Sequence, residues 1–298
     1  ATDVFDVNQT TSNQFVTTGF PVDLQLMQYT GGDNTYVVDR MRGMSTSTTG
    51  NMKFLMTQKT NVEASDSGSI GVNGFVQDGF SHTLGNFEQA LWSWKRAPNF
   101  FDVVAYTGNG TAGRTVSHNL GVAPEMMIVK VRSIVEPWVV YHKGLSDGVT
   151  PQNYHIRLTS GVEAADSDIW NNTAPTSSVF TTGGNDKVNA NNQTYIAYLF
   201  ATLAGISKVG SVTHSGTTNV DCGFTSGARF VLLKRTDASG DWYVWDSVRG
   251  IVSGNDPYLL LNTTGAEVTN TDYIDPLSSG FTITDDFTDG DYIFYAIA

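Results

Sequence analysis

Four landmarks recur three times, in one order, along these 298 residues. The first is an apolar stretch after a turn that carries Gly or Pro, at 19–27, 121–129 and 227–233. The second is an aromatic stretch with a polar end, at 36–43, 138–144 and 242–250. The third sets a hydroxyl close to a glutamate: Thr60 and Glu63, Ser160 and Glu163, Thr264 and Glu267. The fourth is a closing stretch at 89–94, 195–200 and 292–297. Successive glutamates lie 100 and 104 residues apart. That period is too long for a solenoid or a propeller blade and has the size of a domain. The pattern divides the chain into three tandem homologous domains, 1–97, 98–206 and 207–298. The first boundary falls at Ala97 and Pro98, where proline discourages continuation of the preceding element. The second falls near Ala204 and Gly205.

Each domain reads as all-β. Its segments alternate or run apolar for five to eight residues and are rich in Val, Ile, Phe, Tyr, Trp and Thr. Turn clusters separate them: Gly31 to Asn34, Thr107 to Gly110, and Asp237 to Gly240. No segment holds a 3.6-residue apolar period for three turns. The best helical stretch is a short piece near 162–170. Several strands in about 100 residues without disulfides predict an antiparallel β-sandwich with jelly-roll or Greek-key connections in each domain.

Composition limits the partners. Charged residues make up 15% of the chain, against roughly 25% in an average protein. The net charge is −12 and no Lys/Arg cluster is visible, which disfavours nucleic acid and anionic membrane surfaces. No apolar run is long enough to span a bilayer, and the N-terminal residues do not read as a signal peptide. The single cysteine, Cys222, excludes an internal disulfide framework and multi-cysteine metal sites, as expected of assembly in a reducing compartment. No cofactor is implied.

The chemistry-bearing residues each have a plain reading. Gly108 and Gly110 flank Asn109 in a turn, without the third glycine or the strand–helix context of a phosphate loop. Glu63, Glu163 and Glu267 suggest a glycosidase, but each domain repeats one such carboxylate, and that chemistry needs two. The alternative is a carboxylate that accepts hydrogen bonds from a turn. Asp39, His142 and Asp246 share one repeated position, with Arg42 and Arg249 three residues on. The second domain breaks that pattern with Gly144 and Leu145. A local ion pair is the plain reading there and a ligand contact the alternative. The acidic stretch Asp285, Asp286, Asp289 and Asp291 lacks the spacing of an EF-hand. Most tryptophans read as core, because alternate strand residues face inward. Trp170, flanked by Asp168 and Asn171, is the best candidate for an exposed aromatic. The candidate surface contacts are therefore Trp170, Arg42 and Arg249; no catalytic or metal residue is assigned.

The span 92–125, Trp138 to His142, Trp170 to Pro175 and Tyr195 to Ala201 together resemble a repeated β-module of tail-fibre and virion structural proteins of tailed bacteriophages, many from marine and freshwater phages. The likeness covers nearly the whole chain and is weakest over 64–80, a stretch rich in Gly and Ser. It implies a virion component without a reaction, assembled in the host cytoplasm with other virion proteins. It also implies a homo-oligomer, a trimer by analogy with fibres, although three domains in one chain could imitate a trimer within a monomer. Tandem domains would make a long object of adjustable reach with multivalent weak contacts. The expected role is a tail fibre or receptor-binding appendage that attaches to a host-surface glycan or protein. The alternative is a capsid decoration or tail adaptor with a purely structural role, and a polysaccharide depolymerase is a weaker third.

Overall fold

The computed structural model describes residues 1–11, 14–42, 52–66, 72–76, 79–82 and 88–298. Gly43, the end of one landmark, lies outside them, as do 67–71 and 77–78 of the Gly/Ser-rich stretch. The described chain is all-β, and its strands pair antiparallel in several sheets. Helix is confined to single turns such as Ser167–Trp170 and Asp186–Asn189.

One strand order appears in three large sheets. The first runs Phe5–Thr10, Gln89–Trp94, Leu24–Tyr29, Thr35–Asp39, Met52–Met56, Ala64–Asp66. The second runs Phe101–Thr107, Thr194–Phe200, Met126–Val131, Val139–His142, Tyr154–Arg157, Ala164–Ala165. The third runs Ser207–His214, Gly290–Ile297, Phe230–Arg235, Trp242–Asp246, Leu259–Leu260. The registers match as well as the order. Leu24 faces Trp94 and Asp39, Met126 faces Phe200 and His142, and Phe230 faces Ile297 and Asp246. The sequence landmarks therefore mark equivalent places: the central strand, its hairpin partner, the connection that carries the glutamate, and the closing strand.

Each large sheet is covered on both faces, which explains apolar runs where a half-exposed strand would alternate. A small sheet covers the outer face. In the second copy this is Arg114–Ser117 paired with Val179–Thr182, and Val116 and Phe180 pack there on Met127, Val129 and Val131. Each copy thus has two layers. The inner faces meet in one shared core. Leu24, Trp92 and Trp94 pack with Met126, Tyr198 and Phe200, and with Phe230, Leu232 and Tyr295. Edge-to-face rings tie Trp94 to Phe200 at 6.3 Å and to Phe230 at 5.6 Å. A cavity of about 30 Å³ remains among residues of all three sheets. With a lining this apolar, it is expected to be dry.

The long object of adjustable reach is corrected by this packing. A chain of separable units would leave each inner face in water, yet Trp92, Trp94, Phe230 and Tyr295 are all at most 2% exposed. Burying those faces against one another is what draws the three copies into one body.

Candidate functional site

The residues singled out in the sequence lie at the joints between copies, and the joints form a closed cycle. Glu63 N–H donates to the Arg132 carbonyl, Glu163 N–H to that of Thr236, and Glu267 N–H to that of Thr30. The first copy thus grips the second, the second the third, and the third the first. This is the heterologous contact of a threefold ring, made within one chain.

Two joints share one chemistry. Between the third and first copies, Trp92 Nε1 donates to Asp246 Oδ2 at 2.9 Å. Arg249 Nε meets the same oxygen at 2.7 Å, and its Nη1 reaches Glu267 at 3.0 Å. Its guanidinium lies 5.6 Å above the Trp92 ring. Between the first and second copies, Tyr198 Oη donates to Asp39 Oδ2 at 2.6 Å, and Arg42 Nε pairs with that oxygen. Arg132 then closes on Glu63 with two bonds of 2.8 and 3.0 Å. A buried carboxylate needs such partners, because desolvation penalises an isolated charge.

The third joint uses neutral groups. Gly144 N–H donates to His142 Nδ1, which leaves the proton on Nε2 for the Phe294 carbonyl at 3.1 Å. Burial holds this imidazole neutral, with its pKa pushed down to about 4. Leu145 stands where Arg42 and Arg249 stand in the other copies and is fully buried. Gly144 permits the close approach, since a Cβ there would lie 2.7 Å from that of Ser211. Glu163, without an arginine, accepts Ser146 N–H at 2.9 Å.

The candidate surface contacts are therefore corrected. Arg42 is 5% exposed and the Arg249 side chain 1%, because each neutralises buried carboxylates. Trp170 is 0% exposed. Asp166 caps the turn Ser167–Trp170 by accepting Asp168 N–H, and the turn carries the indole inward to donate to the Tyr154 carbonyl at 3.0 Å. All six tryptophans are at most 2% exposed, so none offers a stacking platform. Cys222 is buried, and burial pushes its thiol up to about 12. Among the described residues, no group of three or more His, Cys, Asp or Glu side chains is arranged to hold a metal ion.

An aromatic cleft that sequence reasoning missed lies on the outer layer of the third copy. It measures about 80 Å³ and is lined by Arg235, Ser239, Tyr243, Tyr273, Phe287 and Tyr292, among others. Tyr243 and Tyr273 each stand about 5 Å from Phe287, at 5.1 and 5.0 Å. Tyr258 stacks on Tyr273 at 5.6 Å. Tyr292 Oη donates to the Thr288 carbonyl, while the Tyr243, Tyr258 and Tyr273 hydroxyls donate to no group among the described residues. These rings come from four separate segments, so no spacing in the sequence marks them.

A family model described as a domain of unknown function, DUF7483, matches residues 2–298. No curated protein matches the chain.

Proposed function

The chain belongs to the family of the domain of unknown function DUF7483, and on that premise we propose that it is a binding component of a phage virion, a tail fibre or receptor-binding appendage. Its three segments, 1–97, 98–206 and 207–298, are on this reading homologous jelly-roll-like sandwiches that have closed into a ring. The observation that carries the reading is a division of labour between layers. The inner faces are committed to one core and its joints, while the outer layers differ from copy to copy. The third opens an aromatic cleft where the second is filled by Val188 of the turn Asp186–Asn189, which is fully buried. Shared scaffolding with divergent outer loops suits recognition, because loops on a rigid frame carry contacts without disturbing packing. The resemblance to phage tail-fibre modules supports the same role. Host-surface glycan or protein is the proposed target, and other virion proteins are the proposed neighbours. The test is adsorption: purified chain should bind susceptible cells and slow phage attachment. A chain that does neither sinks the reading.

A second reading rests on the ring itself. A closed threefold body fits a threefold position, as a capsid decoration or tail adaptor would. Locating the chain on the virion by electron microscopy separates the two.

A further inference from the structure

Resting on the binding role above, we propose that the aromatic cleft of the third copy takes one neutral saccharide unit. The cleft exists because this copy departs from the second at two places. Its hairpin strand carries Tyr243 on the outer face where the second copy has Val139. The connection that carries Asp186–Asn189, residues 183–193 in the second copy, is cut to 284–289 in the third. In the second copy that turn closes the layer, with Tyr106 and Tyr195 donating to the Val188 and Asp186 carbonyls. In the third, Phe287 fills only the base, and Tyr243 and Tyr273 remain part-exposed above it.

The groups around the cleft select a polyhydroxyl ligand. Aromatic faces accept the apolar edge of a pyranose, and phenol hydroxyls without partners among the described residues supply polar contacts at its rim. Ser239 and Thr288 add exposed hydroxyls. Arg235 stands in the wall with its charge matched by Asp237, through bonds of 2.7 and 3.0 Å. A cationic ligand would meet that guanidinium. An acidic sugar would meet the field of residues 207–298, which hold 12 Asp/Glu against 5 Lys/Arg. A neutral sugar avoids both penalties. The volume, about 80 Å³, is well below a drug-sized pocket of about 300–1,000 Å³, so it suits a single terminal unit.

Saturation-transfer NMR on the full chain with the methyl glycosides of glucose, galactose and mannose tests this. At least one should receive magnetisation, with a Kd near about 1 mM. Ser239→Trp, which blocks the mouth from an exposed position, and Tyr273→Ala should each weaken binding about tenfold or more. The Ser239→Trp variant should keep the parent melting temperature, so its loss of binding cannot be ascribed to misfolding. No transfer to any of the three, binding by both variants as strong as the parent's, or stronger binding of tetramethylammonium than of the sugars overturns the proposal. Cell binding keeps the two readings apart. If Ser239→Trp binds susceptible cells as the parent does, the cleft falls and the attachment role stands. If the parent binds no cells yet binds a glycoside in the cleft, the attachment role falls and the cleft stands.

Discussion

At Asp39, His142 and Asp246, one position carries two solutions to the same burial problem. The carboxylates are each held by an arginine and an aromatic donor, whereas the imidazole is kept neutral beside a leucine. Removing one member of a buried pair leaves a charge without compensation, at a cost of about 3–5 kcal/mol. Arg249→Leu should therefore destabilise by that amount in urea unfolding. The double change Asp246→His with Arg249→Leu writes the chemistry of the second copy into the third and should recover most of the loss. Equal losses in the two variants would contradict the pairing. Titration follows the same logic. Burial pushes His142 and His155 down to about 4, below the unfolded value of about 6.5. The unfolded chain then binds more protons between those values, so stability falls as pH drops from about 6.5 toward 4. His142→Gln should flatten part of that slope in melting curves. Asp256 runs the other way: burial, with Asp272 and Asp275 nearby, pushes it up to about 7. Its contribution is full below about 4 and is lost as pH rises through 7. Asp256→Asn should raise the melting temperature by about 2–4 °C at pH 8 and leave it unchanged at pH 4. The equivalence of residues 39, 142 and 246 was legible in the sequence. Their place in the joints was not, because period-two alternation assigns a face without saying what covers it.

Single turns and close approaches decide how the elements seat. The Trp170 segment reads as the end of a short helical piece with its indole exposed because Asp, Ser and Asn surround it, yet those same residues cap and end a helical turn that buries the ring, with Asn171 in the left-handed region at φ 54°. Trp170→Ala should cost about 3–5 kcal/mol, as loss of a buried aromatic does. Asp166→Ala should cost about 1 kcal/mol through the lost cap. Denaturant midpoints measure both, and a Trp170 variant as stable as the parent would return the indole to the surface. Gly108 reads as part of a turn cluster, whereas in the structure it bonds across to Gln193 and Asn192, and glycine is required because a Cβ there would overlap the Ala190 carbonyl. The strands themselves were legible from apolar runs and turn residues. The cleft was not, because Tyr243, Tyr258, Tyr273 and Phe287 converge only once the third sheet and its short connection are in place.

The whole molecule is where the sequence reading needed most revision. A period near 100 residues matches the spacing of three large sheets with one strand order, and these sheets pack into one body. Repetition reports strand order, while the choice between separate units and one ring depends on where the inner faces go. Here Trp94, Phe200 and Phe230, one from each copy, share a core, and hydrogen bonds run from each copy to the next around the cycle. The threefold symmetry expected of a homotrimer is already present inside the chain, so a single chain of 32.3 kDa is the species expected in sedimentation. A trimer would instead support assembly along the ring axis. The shared core makes a sharper demand on thermodynamics, because no copy can open without exposing the inner faces of the other two. Differential scanning calorimetry measures this directly. The ring predicts one transition whose calorimetric and van't Hoff enthalpies agree. Two or three separable transitions, each with its own share of the enthalpy, would contradict it.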